Sequence, residues 1–426
     1  MIYVKGYTPR LLTSLLVFVL ASAAQGQDSP RLVLSGDTVL VDEPFTIAVG
    51  GLKPQQDITI RLDGNHGLWR SAQTFHSDDR GYVNVRDPMK LIWSAAGERR
   101  PAAPSTVAIP WIFSLELAGQ VVSADTLWRR MVANGVRAVP VKERGLVGVA
   151  YYPAGPERRP AIIVLGGSQG GVPGPEGHAG GLSSQGYVVL ALAYFNAQGL
   201  PPLINNIPLE YFGTAIDWLK SQPNVDPARI GVLGTSRGGE LALLLGATYP
   251  ALRVVVANVP SNVVWPGLSD DTPTPAWTLN GQPVAGIRTQ FMPADSVFSS
   301  RERFLRRMTN APNLAAAEIP VERINGAVLL FAGRDDQVWP SDIFSARVVE
   351  RLKKRNFKYA VEQYSYENAG HRMARPYIPT TNIRDVAVHP VSHRKTMFGG
   401  TPEGQAYANE DSWRKLLTFL DRYLRN

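Results

Sequence analysis

Residues 229–248 read RIGVLGTSRGGELALLLGAT, and few backbone paths satisfy that order of residues. An apolar run (Ile230, Val232, Leu233) ends at Gly234, and Ser236 stands between Gly234 and Gly238. Leu241, Leu243, Leu244 and Leu245 then continue with helical character. A strand that turns sharply into a helix holds the intervening serine in a strained conformation. Strand and helix crowd together there, so the flanking positions need residues without side chains. The hydroxyl is lifted clear of the sheet, and the helix turns its positive end toward it. The bare G-x-S-x-G pattern also fits an ordinary Gly-rich turn, so its meaning depends on partners elsewhere in the chain.

From about residue 148 the pattern alternates strand and helix. Strands are expected at Gly148–Tyr152, Ala161–Leu165, Val188–Tyr194, Ile230–Leu233, Val254–Asn258, Ala327–Phe331 and Tyr359–Gln363. Helices are expected at Leu209–Ser221, behind Pro208, and at Gly238–Ala247, Asp342–Lys354 and Glu410–Leu424. Continuous apolar strands between amphipathic helices specify a mostly parallel sheet covered on both faces, an α/β fold. A connection at about 262–325, first rich in Pro and Trp and then basic (Arg301, Arg303, Arg306, Arg307), reads either as a lid or as a surface embellishment.

A serine hydroxyl is a weak nucleophile. It needs a base within hydrogen-bond reach and an acid to orient that base. In parallel-sheet hydrolases these follow in the order serine, acid, histidine. AVLLFAGRDDQVWP supplies a strand running into Asp335 and Asp336, and YAVEQYSYENAGH another leading to His371. Both groups emerge at strand ends, where sites of open α/β sheets lie. Asp336, three residues after Gly333 and four before Pro340, is read as the acid and Asp335 as a turn-capping carboxylate. His371 is read as the base over His178, His389 and His393, because it follows the last strand and a glycine. The oxyanion that develops needs N–H donors. One is expected from Arg237, the other from Ser168 or Gln169 in the loop of VLGGSQGG. That loop lacks the spacing of a phosphate cradle.

Residues 30–130 carry short alternating segments, RLVLSG, DTVLVD, FTIAVGGL, DITIRLDG and GYVNVRD, punctuated by Gly, Asp or Pro. They predict an antiparallel sandwich of immunoglobulin-like size. His66, Trp69 and His76 within it are read as structural, and Met131–Val147 as a crossover to the second domain. Ahead of the sandwich, Lys5 and Arg10 precede an apolar stretch from Leu11 to Ala24, followed by small residues. This is the layout of a cleavable signal peptide, with cleavage near 23–26 and export to the periplasm or medium. The stretch is shorter than the roughly 20 residues of a spanning helix, so no integral span is expected once the leader is removed.

The chain contains no cysteine, which excludes a thiol nucleophile, a thiolate metal site and disulfides. The formal charge of +8 is scattered, so no basic stripe points to nucleic acid. No His and carboxylate cluster has metal-ligand spacing, and no cofactor is implied.

Taken together, the chain resembles the acyl-CoA thioester hydrolases and bile acid-CoA:amino acid N-acyltransferases. DEPFTIAVGGLKPQQDITIR and DPMKLIW are similar to that family's sandwich domain. ALAYFNAQGLP, PLEYFGTAIDWL, GTSRGGELAL, GRDDQVWPS, AGH and FGGTPEGQAYANEDSWRKLLTFL are similar to its hydrolase domain. The resemblance implies an α/β-hydrolase domain over 136–426 behind a sandwich at 27–135, with residues 1–26 as leader. It carries over Ser236, Asp336 and His371 as nucleophile, acid and base. Transferase members have cysteine as nucleophile, so serine here implies release of the acyl group to water. Arg237 stands where lysine is common. Family members act inside cells, whereas the leader implies export. Thioester, ester and amide substrates therefore stay open, and a binding protein on a relic hydrolase scaffold is the alternative of another class.

Overall fold

The computed structural model describes residues 29–97, 107–268, 274–288, 300–384, 387–388 and 395–426. The leader, His389 and His393 lie outside the described residues. The first domain comprises β1 (Arg31–Leu34), β2 (Thr38–Leu40), β3 (Ile47–Gly50), β4 (Asp57–Gly64), β5 (Trp69–His76), β6 (Val83–Asn84), helix α1 (Met89–Trp93), β7 (Ala96–Gly97), β8 (Ile109–Leu117) and β9 (Gln120–Arg130). A three-stranded sheet, β1-β3-β6, faces a six-stranded one, β2-β9-β8-β4-β5-β7. In β4 the period of two is plain: Ile58, Ile60 and Leu62 are buried between more exposed Thr59, Arg61 and Asp63. They meet Phe45, Ile47, Phe113 and Leu127 in one core.

Strands β5, β8 and β9 were not among the five segments read from the sequence. The polar run of β5 and the exposed Ile112, Val121, Val122 and Trp128 of β8 and β9 obscure their alternation. Trp69 is a core residue, His66 sits in a left-handed turn, and His76 pairs with Asp57 on the exposed ladder.

The second domain is built on β10 (Arg137–Val141), β11 (Val147–Tyr152), β12 (Arg159–Leu165), β13 (Val188–Ala193), β14 (Ile207–Pro208), β15 (Val225–Thr235), β16 (Leu252–Asn258), β17 (Trp277–Leu279), β18 (Gln282–Pro283), β19 (Ala327–Gly333) and β20 (Val361–Tyr366). Its main sheet is eight-stranded, in the order β10-β11-β13-β12-β15-β16-β19-β20. β10 and β11 are antiparallel, β11 is antiparallel to β13, and the pairs from β13 to β20 are parallel. The chain moves outward from β12 to β13 and then returns to β12's other side with β15. The order thus reverses between β12 and β15, the point where α/β sheets open a crevice at their carboxyl ends.

The helices are α2 (Pro173–Ser184), α3 (Glu210–Lys220), α4 (Arg237–Thr248), α5 (Ser300–Thr309), α6 (Leu314–Ala317), α7 (Ser341–Lys354) and α8 (Pro402–Leu420). Phe212, Leu241, Leu245 and Val348 cover one face of the sheet, and Ala179, Leu182, Trp413, Leu416 and Phe419 the other. Among the described residues no helix is long and apolar enough to cross a membrane.

Three expectations are corrected. The crossover Met131–Val147 contains β10; its largely exposed residues and Pro140 are those of an edge strand. Helix α2 was not expected, because PGPEGHAGGLSS is poor in helix formers; packing of Ala179 and Leu182 on the sheet sustains it. The last long helix begins at Pro402 rather than Glu410, with Thr401 Oγ1 accepting from Gly404 N at 3.1 Å.

The connection at 262–325 is no loose embellishment over its described parts. β17 and β18 join β14 in a small sheet. Val263, Trp265, Ile287, Met308 and Ala317 form a separate core with Trp339 and Phe344 of the main domain.

The two domains are joined by polar contacts. Asp42 of the sandwich accepts from Trp413 Nε1 (3.1 Å) and Gln185 Nε2 (3.3 Å). Buried Arg129 donates to the carbonyls of Val41 (2.8 Å) and Tyr377 (2.6 Å). His178 of α2 packs against Trp413 at this seam, with ring centroids 6.4 Å apart. Burial, aided by the Arg375 guanidinium, pushes its imidazole down to about 4. The neutral ring therefore supports the fold at neutral pH, and that support is lost as pH falls below the ordinary value of 6.5 toward about 4. Denaturant midpoints at pH 7 and pH 5 are expected to show a smaller acid loss in His178→Gln than in the parent chain. Equal losses would contradict a neutral histidine at this seam.

Candidate active site

Ser236 lies between the end of β15 and the start of α4, with φ 60° and ψ −120°. Its amide donates to the Asn258 carbonyl of neighbouring β16 at 2.9 Å, and its carbonyl accepts the first helical bond from Glu240 N at 3.0 Å. The two glycines of the motif are sterically required. A Cβ on Gly234 would stand 1.8 Å from the Gly238 carbonyl oxygen, and one on Gly238 2.4 Å from that of Gly166. Both neighbours are backbone and cannot move aside without shifting strand or helix.

The turn after β19 carries Asp336, which is fully buried. Its Oδ1 accepts from the amides of Val338 (2.9 Å) and Trp339 (3.2 Å). Its Oδ2 accepts from Ser341 Oγ at 2.6 Å and meets His371 Nδ1 at 2.8 Å. Asp335 does not cap its own turn, whose amides go to Asp336; it accepts from the Gln337 side chain (Nε2, 2.7 Å) and from the distant Gly400 amide (2.8 Å).

His371 follows β20 through a tight passage. A Cβ on Gly370 would meet the Gly399 carbonyl at 2.2 Å. Gly370 N donates to Gln405 Oε1 of α8 at 3.0 Å, and His371 N to the Phe398 carbonyl at 2.8 Å. The indole of Trp339 stands edge-on to the imidazole, 5.7 Å between centroids. His371 Nε2 lies 2.8 Å from Ser236 Oγ. With a carboxylate at Nδ1, that nitrogen carries the proton and Nε2 is left to accept from the serine hydroxyl.

The loop after β12 passes close to Ser236: a Cβ on Gly167 would lie 3.2 Å from Ser236 Cβ and 3.6 Å from its Oγ. The loop is braced by Tyr194 OH donating to the Gly166 carbonyl (2.7 Å) and Asn196 Nδ2 donating to that of Gln169 (2.9 Å). Ser168 and Gln169 are the next two residues of that loop, and Arg237 opens α4. The loop and the start of α4 therefore both lie next to Ser236.

The structure thus brings Ser236, Asp336 and His371 into one hydrogen-bonded line, while His178 lies at the domain seam. Ser341, Trp339 and Gln405 were not found from sequence. The run Q-V-W-P-S after Asp336 carries the first two, but only the folded turn shows which of its groups face the carboxylate. Asp336→Asn is expected to lower kcat on a short p-nitrophenyl ester by about 10³- to 10⁴-fold. Asp335→Asn is expected to lower the denaturation midpoint and leave kcat within a few-fold. Equal kinetic losses would overturn the division of roles between the two aspartates.

Comparison with known proteins shows the family of the chain. The family model for the BAAT / acyl-CoA thioester hydrolase C terminal matches residues 207–426. That for the acyl-CoA thioester hydrolase/BAAT N-terminal region matches residues 42–143. The mouse mitochondrial acyl-coenzyme A thioesterase 2 is 31% identical over 410 residues, covering 90% of this chain and 87% of its own. Mouse acyl-coenzyme A thioesterase 1 is 30% identical over 413 residues, covering 90% and 94%. With both regions matched and relatives aligned along nearly their whole length, the chain belongs to the acyl-CoA thioester hydrolase/BAAT family.

Proposed function

We propose that this chain is a serine acyl hydrolase that cleaves an acyl-CoA-type thioester through an acyl-serine intermediate. The observation that carries the reading is the continuous line of hydrogen bonds from Asp336 through His371 to Ser236, 2.8 Å at each contact of the imidazole. Ser236 Oγ attacks the acyl carbonyl carbon while His371 Nε2 takes its proton. The carbonyl oxygen, now an anion, accepts from the amide of Arg237 and from that of Ser168 or Gln169. Collapse of this intermediate breaks the carbon–sulfur bond, and the leaving thiolate takes the proton from the imidazolium. Water, deprotonated by the same nitrogen, then attacks the acyl-serine and regenerates the hydroxyl. Asp336 holds the imidazole tautomer throughout and stabilises its positive form.

The acyl-CoA substrate rests on the relatives. The N-terminal leader read from the sequence favours a second reading, an exported carboxylesterase or amidase acting on a non-CoA substrate; fractionation of the native host separates the two locations. A non-catalytic binding role leaves the alignment of all three groups without a purpose.

Ser236→Ala is expected to abolish labelling by a fluorophosphonate probe and to lower kcat/KM by at least about 10³-fold at an unchanged melting temperature. For the parent chain, kcat/KM on an acyl-CoA is expected to exceed that on the ethyl ester of the same acid. A higher value for the ester would favour the exported esterase. Normal turnover by the alanine variant would reject the serine mechanism.

A further inference from the structure

The side chain of Arg237 points away from the reacting atoms, into the protein. It is 6% exposed and pairs with the fully buried carboxylate of Glu240, 2.8 Å from Nη1 to Oε2. Its Nη2 donates to the carbonyls of Trp265 (3.1 Å) and Pro266 (3.2 Å), in the connection that follows β16. The other oxygen of Glu240 accepts from the indole Nε1 of Trp277 in β17 at 3.1 Å. The guanidinium also lies 5.8 Å from the centroid of the Trp277 ring. Trp277 in turn packs on Tyr194, centroids 5.8 Å apart, and the Tyr194 hydroxyl holds the Gly166 carbonyl. One buried cluster therefore grips both elements that carry the candidate oxyanion donors: the first turn of α4 and the loop after β12.

Stability is a weak reason for such an arrangement. Replacing a buried ion pair by apolar residues of similar volume is often neutral or stabilising. Burial outweighs the pull of Arg237 and the indole donor and leaves Glu240 raised to about 7. A guanidinium has a use here that an apolar side chain lacks, because its planar fork meets a carboxylate and two carbonyls in fixed directions. Those carbonyls belong to the connection between β16 and β19, not to the sheet.

We infer that Arg237, Glu240 and Trp277 are positioning residues, through which the segment at Trp265–Pro266 and strand β17 set the placement of the oxyanion-hole amides. The inference rests on the serine-hydrolase reading and adds a role for the connection. The segment acts as a brace behind the site, and its effect is on the rate of the chemical step rather than on substrate affinity.

The test uses full-length protein, with active sites counted by a fluorophosphonate titrant and turnover measured on p-nitrophenyl acetate. Arg237→Met and Glu240→Gln are each expected to lower kcat per titrated site by about 10- to 100-fold, with KM within about threefold, the scale of a modest misplacement of catalytic groups. Trp277→Phe, which keeps the packing and removes only the indole donor, is expected to show the same split at smaller size. Arg237→Lys, which keeps the charge without the fork, is expected to fall between parent and Arg237→Met. The double variant Arg237→Met/Glu240→Gln is expected to lose no more than the worse single one, because the pair acts as a unit. If kcat per titrated site stays at the parent value in these variants while only the melting temperature drops, the cluster is structural and the inference fails. If the parent chain itself neither takes the titrant nor turns over ester, the underlying hydrolase reading fails instead.

Discussion

The left-handed backbone at Ser236 is the constraint on which the rest of the site depends. A residue held in such a region costs of order 1–3 kcal/mol and persists only where its surroundings over-determine it. Here the surroundings are specific. The Asn258 carbonyl takes the Ser236 amide, α4 begins at the next residue, and Gly234, Gly238 and Gly166 approach one another backbone to backbone. The strain is thus spread over β15, β16, α4 and the loop after β12, which are buried and mutually packed. What results is a hydroxyl at the topological switch point of the sheet, beside the positive end of a helix.

Its partners come from far along the chain, and each is fixed by contacts that do no chemistry. Asp336 is oriented by two amides and Ser341, and His371 by its backbone bond to Phe398 and by the grip of Gln405 on Gly370. Gln405 belongs to α8, and α8 also presents Trp413 to Asp42 of the sandwich. The helix that steadies the histidine loop is therefore the one that docks the first domain. This gives the sandwich a physical connection to the site although none of the three aligned side chains comes from it.

Much of this was legible in the sequence because the chemistry restricts where its residues can stand. A nucleophile on a strand-to-helix turn, an acid after one later strand and a histidine after the next leave little freedom, and Ser236, Asp336 and His371 fall in those places. The parallel strands were legible for a related reason: buried on both faces, they are continuous apolar runs such as Val188–Ala193. What escaped was whatever depends on tertiary context. Helix α2 is rich in glycine and holds through packing; β10 carries a proline that only an edge strand accepts. Ser341 and Gln405 are ordinary polar residues until the fold turns them toward Asp336 and Gly370. Arg237 was read for its amide and for standing where lysine is common, since no local pattern tells that its side chain reaches Trp265 and Pro266.

The most direct measurement is the mass of the protein caught during turnover. Rapid acid quenching of the parent chain with p-nitrophenyl acetate, followed by proteolysis and mass spectrometry, should find one acetyl group on the peptide that contains Ser236. Its amount should match the burst of p-nitrophenol. Steady hydrolysis with no burst and no acylated peptide, or an acetyl group on a different residue that turns over at the catalytic rate, would contradict a nucleophile made reactive at this turn.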